Sequence, residues 1–199
     1  MWSTPNILTL SRIGLIPVFV GIFYLSAPWA RFTCALVFGA AAFTDWLDGY
    51  LARRWEQTSP FGAFLDPVAD KLMVAVALVL LVQADPRAAL ALPAAVIIGR
   101  EIAVSALREW MAEVGARSRV SVSAVGKFKT TAQMVAIILL ILRGPLLGIP
   151  VYDLGMVLLY IAATLTLWSM FLYLRVAWPC LSAPAPPAPG KEIEQEQSH

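Results

Sequence analysis

The stretch D-W-L-D-G-Y-L-A-R-R-W-E-Q-T-S-P-F-G-A-F-L-D-P-V-A-D, Asp45 to Asp70, joins the inner ends of two long apolar runs. It carries four aspartates, Asp45, Asp48, Asp66 and Asp70. A carboxylate set against hydrocarbon is costly, so an ionisable residue in such a place marks a functional site. Asp45 and Asp48 are three apart and Asp66 and Asp70 four apart, so on helices each pair shares a face. The polar turn from Trp55 to Pro60 folds the two runs antiparallel, and the four carboxylates then converge.

Outward from this hairpin the chain is strongly apolar. Of 199 residues, 59% are hydrophobic and only 14% charged, against about 25% charged in soluble domains. The mean hydropathy is +0.73. The class expected is an all-α integral membrane protein. Six runs approach the roughly 20 residues that a spanning helix needs: Ile7 to Ser26, Phe32 to Leu51, Phe61 to Val82, Ala88 to Met111, Val125 to Leu142, and Tyr152 to Ala177. None keeps a strand's alternation, and lipid favours helices because they satisfy their own backbone groups. Breaks fall at Ala27-Pro28, Thr58 to Pro60, Asp85-Pro86, Gly115 to Ser118 and Gly144 to Pro150, all with turn chemistry.

The basic residues are unevenly divided. Arg12, Arg53, Arg54, Lys71, Arg100, Arg108, Arg117, Arg119, Lys127, Lys129, Arg175 and Lys191 belong to one side of a six-span topology. Only Arg31, Arg87 and Arg143 belong to the other. The positive-inside rule then puts both termini and all four aspartates at the cytoplasmic face. The net charge of +2 gives no reason to expect a nucleic-acid partner. The N-terminus lacks the pattern of a cleaved signal, so the first run is expected to be retained. Residues 1–179 form the expected membrane domain. From Cys180 the chain turns proline-rich and then acidic, so 180–199 is expected to be a disordered tail. Cys34 reads as a small buried apolar residue, and His199, the last residue, has no catalytic role.

Four carboxylates held close together repel unless something positive joins them. Oxygen-only donors, without His or Cys, suit a hard cation such as Mg²⁺ or Mn²⁺. Two such ions about 3.5–4 Å apart would form a phosphoryl-transfer clamp. Gly49 and Gly62 remove side chains where a diphosphate could approach the backbone. Ala52 is small on the same face, and Arg53 can offer bidentate contacts to phosphate.

The pattern Asp45-x2-Asp48-Gly49-x2-Ala52-Arg53-x8-Gly62-x3-Asp66-x3-Asp70 resembles the signature of CDP-alcohol phosphatidyltransferases, with all eight fixed positions matched. The resemblance implies a six-helix membrane enzyme, usually a homodimer, in which an alcohol displaces CMP from a CDP-linked lipid. It further implies that Asp45, Asp48, Asp66 and Asp70 ligate two metal ions and that Asp70 is the general base. Gly49, Ala52, Arg53 and Gly62 would line the cytidine diphosphate site, with Thr9 and Arg12 nearby. A metal-bound carboxylate has a depressed pKa, so positioning and polarising the hydroxyl is the larger part expected of Asp70.

The acceptor must be read elsewhere. G-R-E-I-A-V-S-A-L-R-E-W-M-A-E and V-G-K-F-K-T-T-A-Q-M place Arg108, Arg119, Lys127 and Lys129 on the motif side, a basic pocket for an acceptor bearing its own phosphate. Glu101 and Arg108, seven apart, share a face and could pair or flank a ligand. Those segments, with P-N-I-L-T-L-S-R, resemble family members that use sn-glycerol 3-phosphate in the bacterial inner membrane. Other acceptors of the inositol phosphate, serine or choline type are the first alternative. A divalent-cation transporter is a remote one, because the motif acids sit at one end of two helices rather than at mid-depth in several. A scaffold that only binds nucleotide lipids would release no CMP.

Overall fold

A computed structural model describes residues 4–55, 60–113, 124–144 and 148–181. For residues 4–9, 45–55, 60–67, 70, 112–113, 124–128, 176 and 179–181 the description covers the backbone alone. Among the described residues the chain forms six helices: α1 Thr4–Phe23, α2 Ala30–Trp55, α3 Pro60–Ala84, α4 Ala88–Glu113, α5 Ala124–Leu142 and α6 Val151–Leu181. Each expected apolar run is one of them. Most ends shift by one to four residues from expectation; α1, for instance, ends at Phe23 rather than Ser26. α2 continues past Arg53 to Trp55, and α6 continues to Leu181, two residues beyond the expected boundary at 179. Residues 182–199, most of the expected tail, lie outside the described residues.

The ends follow from local chemistry. Proline opens α3 at Pro60, where its missing N–H would have had no helical acceptor. α3 stops at Ala84 because Asp85, which precedes Pro86, is pushed out of the helical region. Asp153 lies in the first turn of α6, where its charge suits the helix dipole. Pro17 and Pro93 sit inside α1 and α4, as helices surrounded by other helices tolerate.

α3 is central and touches α1, α2, α4 and α5; α5 packs along α6, and α4 also packs on α6. The interior is built from Phe19, Phe38, Met73, Leu78, Leu81, Ile97, Ile137, Leu140 and Leu159. Ala77, Ala94, Ala136 and Ala163 lie among them, small enough for backbones to approach. Cys34 is fully buried there, as expected. Many large apolar side chains instead face outward, among them Val18, Leu36, Phe43, Val79, Leu92, Ile102, Val157 and Phe171. Two helical segments, Ala88–Met111 and Val151–Arg175, are long and apolar enough to cross a membrane; Leu10–Phe23, Ala30–Thr44, Lys71–Ala84 and Lys129–Leu142 are shorter apolar stretches.

α5 and α6 approach closely at Gly155. A methyl group there would lie 3.0 Å from Leu140 Cγ and 3.1 Å from Leu139 Cβ, atoms near the α5 backbone that cannot swing aside. Gly155→Ala should therefore destabilise the α5–α6 pair by about 1–3 kcal/mol, as overpacking does. The unfolding midpoint of detergent-solubilised protein reads the effect; an unchanged midpoint would mean that α5 and α6 pack less tightly than this.

At the end of the bundle away from the aspartate hairpin, polar side chains tie the α3–α4 connection to the start of α6. Arg87 donates from Nε to Asp85 Oδ1 and from Nη2 to Oδ2, both at 2.7 Å. The same Nη2 donates to the Tyr152 hydroxyl at 2.8 Å, and that hydroxyl donates to Asp85. The Arg87 guanidinium also lies 5.5 Å from the Tyr152 ring centre, within cation–π reach. Hydrogen bonding from Arg87, then from Tyr152, holds the Asp85 carboxyl well below the usual carboxylate range.

Candidate active site

α2 and α3 touch, and four residues separate the end of one from the start of the other. Asp48 lies seven residues before Trp55, and Asp66 lies six residues after Pro60. Asp45 and Asp70 are each ten residues from the same ends. At about 1.5 Å of rise per residue, an antiparallel hairpin sets Asp48 level with Asp66 and Asp45 level with Asp70. The backbone thus delivers the two pairs as two tiers. The side chains of these four aspartates lie outside the described residues, as do those of Thr9, Ala52, Arg53 and Lys127 and the surroundings of Gly49 and Gly62. Arg119 lies outside them altogether. Among the described residues no group of three or more His, Cys, Asp or Glu is placed to hold a metal ion.

Beside the hairpin the described side chains form a polar network through α3, α4, α5 and α6. Lys71, the residue after Asp70, donates to the Ser105 hydroxyl on α4. Ser105 in turn donates to the Glu101 carbonyl at 2.6 Å. The Glu101 carboxylate accepts from Arg100 Nη1 at 2.7 Å and from Lys129 Nζ at 3.4 Å. Arg100 Nη2 also donates to Ser169 Oγ on α6 at 3.2 Å, and Ser169 donates to the Thr166 carbonyl at 2.9 Å.

The charge balance matters more than any one bond. The side chains of Arg100 and Lys129 are only 9% and 5% exposed, and both lean on one carboxylate that is 26% exposed. With Lys71 the network holds three cations to one anion. Buried charge demands compensation, and Arg100 Nε has no hydrogen-bond partner among the described residues. The surplus lies next to Asp70 in sequence and one helix away in space. It suits the motif carboxylates, an anionic ligand, or both.

Of the expected acceptor residues, Lys129 is buried within this network. Arg108 is exposed and has no partner among the described residues. Glu101 does not pair with Arg108; its partners are Arg100 and Lys129. Ser105 and Ser169 were not singled out in the sequence. The signal for Ser169 is weak: two hydroxyls, Thr166 and Ser169, three apart in an otherwise apolar run.

The hairpin that carries the four aspartates in sequence thus adjoins a basic interior. A family model for CDP-alcohol phosphatidyltransferase matches residues 2–168, and the chain belongs to that family. Its similarity to individual members is high. It is 58% identical over 176 residues to the CDP-diacylglycerol–glycerol-3-phosphate 3-phosphatidyltransferase of Pectobacterium atrosepticum, covering 88% of this chain and 95% of the relative. It is 57% identical over 175 residues to the protein of that name from Sodalis glossinidius, covering 88% and 94%. It is 56% identical over 185 residues to that of Yersinia enterocolitica, covering 92% and 98%.

Proposed function

We infer that this chain transfers the phosphatidyl group of CDP-diacylglycerol to sn-glycerol 3-phosphate, giving phosphatidylglycerol phosphate and CMP. The observation that carries the acceptor assignment is the 58% identity, over 176 residues, to a relative named for glycerol 3-phosphate.

Asp45, Asp48, Asp66 and Asp70 would hold two divalent ions, Mg²⁺ or Mn²⁺, because four carboxylates on adjoining helices form an all-oxygen donor set of high negative charge. Such ions, when bound, neutralise charge developing on the phosphate oxygens. The chain's own residues do the rest. Gly49, Ala52, Arg53, Gly62 and Thr9 line the path of the cytidine diphosphate group, with Arg53 neutralising phosphate oxygens. Lys129, with Lys127, Arg108 and Arg119, holds the phosphate of the acceptor and so fixes its C1 hydroxyl for attack. A bond forms from that oxygen to the lipid-side phosphorus, and the bond from phosphorus to the bridging oxygen breaks. CMP departs with the bond electrons, and the hydroxyl proton passes toward Asp70.

The setting is a bacterial inner membrane crossed six times by residues 1–179, with both termini and the site at the cytoplasmic face and a homodimer as the working unit. The outward-facing apolar side chains of all six helices support burial in lipid. Arg31 and Arg143 lie at one end of the bundle and the Lys71–Arg100–Lys129 network toward the other, in line with the charge bias of the sequence.

The test is direct. Protein purified in detergent with CDP-diacylglycerol, labelled glycerol 3-phosphate and Mg²⁺ should yield a labelled lipid and CMP in equal amounts. No labelled lipid, or undiminished activity in EDTA, would sink the reading. Competition by serine or inositol phosphate at similar concentration would move the assignment to another acceptor within the family.

A further inference from the structure

A cavity of about 690 Å³ opens at the end of the bundle away from the aspartate hairpin. It lies where α1 ends and α2 begins, where α3 ends, and where α5 ends and α6 begins. Its deep wall is apolar, built from the buried Cys34, Leu81, Leu90, Leu140 and Ile141. Its polar groups include two guanidiniums, Arg31 and Arg143, and one carboxylate, Asp85.

That carboxylate is already engaged. Both its oxygens accept from Arg87 at 2.7 Å, and Tyr152 adds a further donor. Arg143 stands 4.0 Å from Asp85 and donates to the Ala84 carbonyl at 3.1 Å. Arg31 has no partner among the described residues. The cavity therefore carries uncompensated positive charge.

Both arginines also occupy positions that local structure disfavours. Arg31 lies in the first turn of α2, where the helix dipole repels a cation. Arg143 follows α5 with φ 56°, a left-handed conformation that glycine adopts without strain and an arginine does not. Arg143 caps α5 through its N–H to the Leu139 carbonyl and reaches the Ala84 carbonyl, whereas no contact among the described residues accounts for Arg31. A bound anion would offset the charge of both guanidiniums.

We propose that this cavity is a binding site for a phosphate-bearing anion, with Arg31 and Arg143 as its cationic groups. The volume falls in the range of small-molecule pockets and far exceeds what a phosphate ion fills. The apolar wall beneath the two guanidiniums matches an amphiphile whose phosphate is at the rim, such as a phospholipid headgroup with the start of its chains. The site lies at the opposite end of α2 and α3 from Asp45 to Asp70, so it is separate from the transfer reaction.

The test uses full-length protein in a neutral, phosphate-free detergent, titrated with dihexanoyl-phosphatidylglycerol, dihexanoyl-phosphatidylcholine and inorganic phosphate, with the melting midpoint as readout. R31Q removes no contact seen among the described residues, so it should fold. It should weaken binding of the anionic lipid roughly tenfold or more, the loss of a charge-assisted bond. R31E should weaken it further, while CDP-diacylglycerol affinity stays at the wild-type value. If inorganic phosphate shows the same affinity and the same sensitivity to R31Q, the occupant is a free anion. If only the phosphatidylglycerol responds, it is a lipid headgroup. Wild-type titrations in both R31Q and R143Q, or phosphatidylcholine binding as tightly as phosphatidylglycerol, would overturn the proposal.

Discussion

Asp70→Asn is expected to reduce turnover by about 10²–10⁴-fold, the range lost when a positioned proton acceptor is removed, while leaving the fold intact. The substitution conserves shape and changes a single charge on α3. Asp70 shares its tier of the hairpin with Asp45, and the next residue, Lys71, is anchored on Ser105 of α4. The backbone at this position is thus held from outside the motif, and the unfolding midpoint of the variant should stay near that of the wild type. Two roles for the carboxylate give different residual behaviour. If Asp70 chiefly helps to hold a divalent ion, raising Mg²⁺ or Mn²⁺ should recover a large part of the lost rate. If it chiefly takes the acceptor proton, added metal recovers little and the rate instead rises with pH as the hydroxyl loses its proton unaided. Asp45→Asn, on the same tier, should follow the metal pattern. A near-normal kcat for Asp70→Asn would remove Asp70 from the reaction.

The six helices of the described residues were legible because a long apolar run without strand alternation has few alternatives. The hairpin was legible because eight fixed positions over Asp45 to Asp70 carry their own spacing. The network beside it was not, for a geometric reason. Glu101 and Arg108 share a face, yet seven residues are two helical turns, about 10.5 Å of rise, too far for a direct bridge. The nearer partners are Arg100, its neighbour in sequence, and Lys129 on α5. Which helix faces α4 is decided by packing, and α4 lies against α3 and α6. Ser105 and Ser169 were silent for a related reason. A serine in an apolar helix usually bonds back to its own preceding turn, as both do here. Their second contacts, to Lys71 and Arg100, depend on neighbouring helices that no local pattern identifies. Asp85 stood at the margin of two apolar runs and drew no reading beyond its turn, yet it gathers Arg87, Arg143 and Tyr152. Sequence distance hid that cluster, since Tyr152 is 67 residues away.

Glu101→Gln should be the most destabilising polar substitution in the basic interior. Removing one member of a buried ion pair costs about 3–5 kcal/mol when the remaining charge stays desolvated. Here Glu101 is about a quarter exposed, so water can partly compensate, and about 2–3 kcal/mol is the expected loss. Both Arg100 and Lys129 lose their carboxylate at once, which is why the effect exceeds that of removing either cation. Lys129→Met leaves Glu101 with Arg100 at 2.7 Å and should cost less. Combining Glu101→Gln with Lys129→Met removes one charge of each sign, and the double variant should be more stable than the sum of the single changes by about 1 kcal/mol or more. Additive losses would show that the 3.4 Å pair contributes nothing to folding. Catalysis separates the same residues differently. If Lys129 holds the acceptor phosphate, Lys129→Met raises KM for glycerol 3-phosphate by roughly 10–100-fold, the loss of a charge-assisted bond. KM for CDP-diacylglycerol should change little. Glu101→Gln leaves that lysine in place and unneutralised, so its KM for glycerol 3-phosphate should stay near wild type or fall even as its stability drops. The two variants would then move stability and acceptor affinity in opposite order, an outcome that a merely structural Lys129–Glu101 pair would not produce.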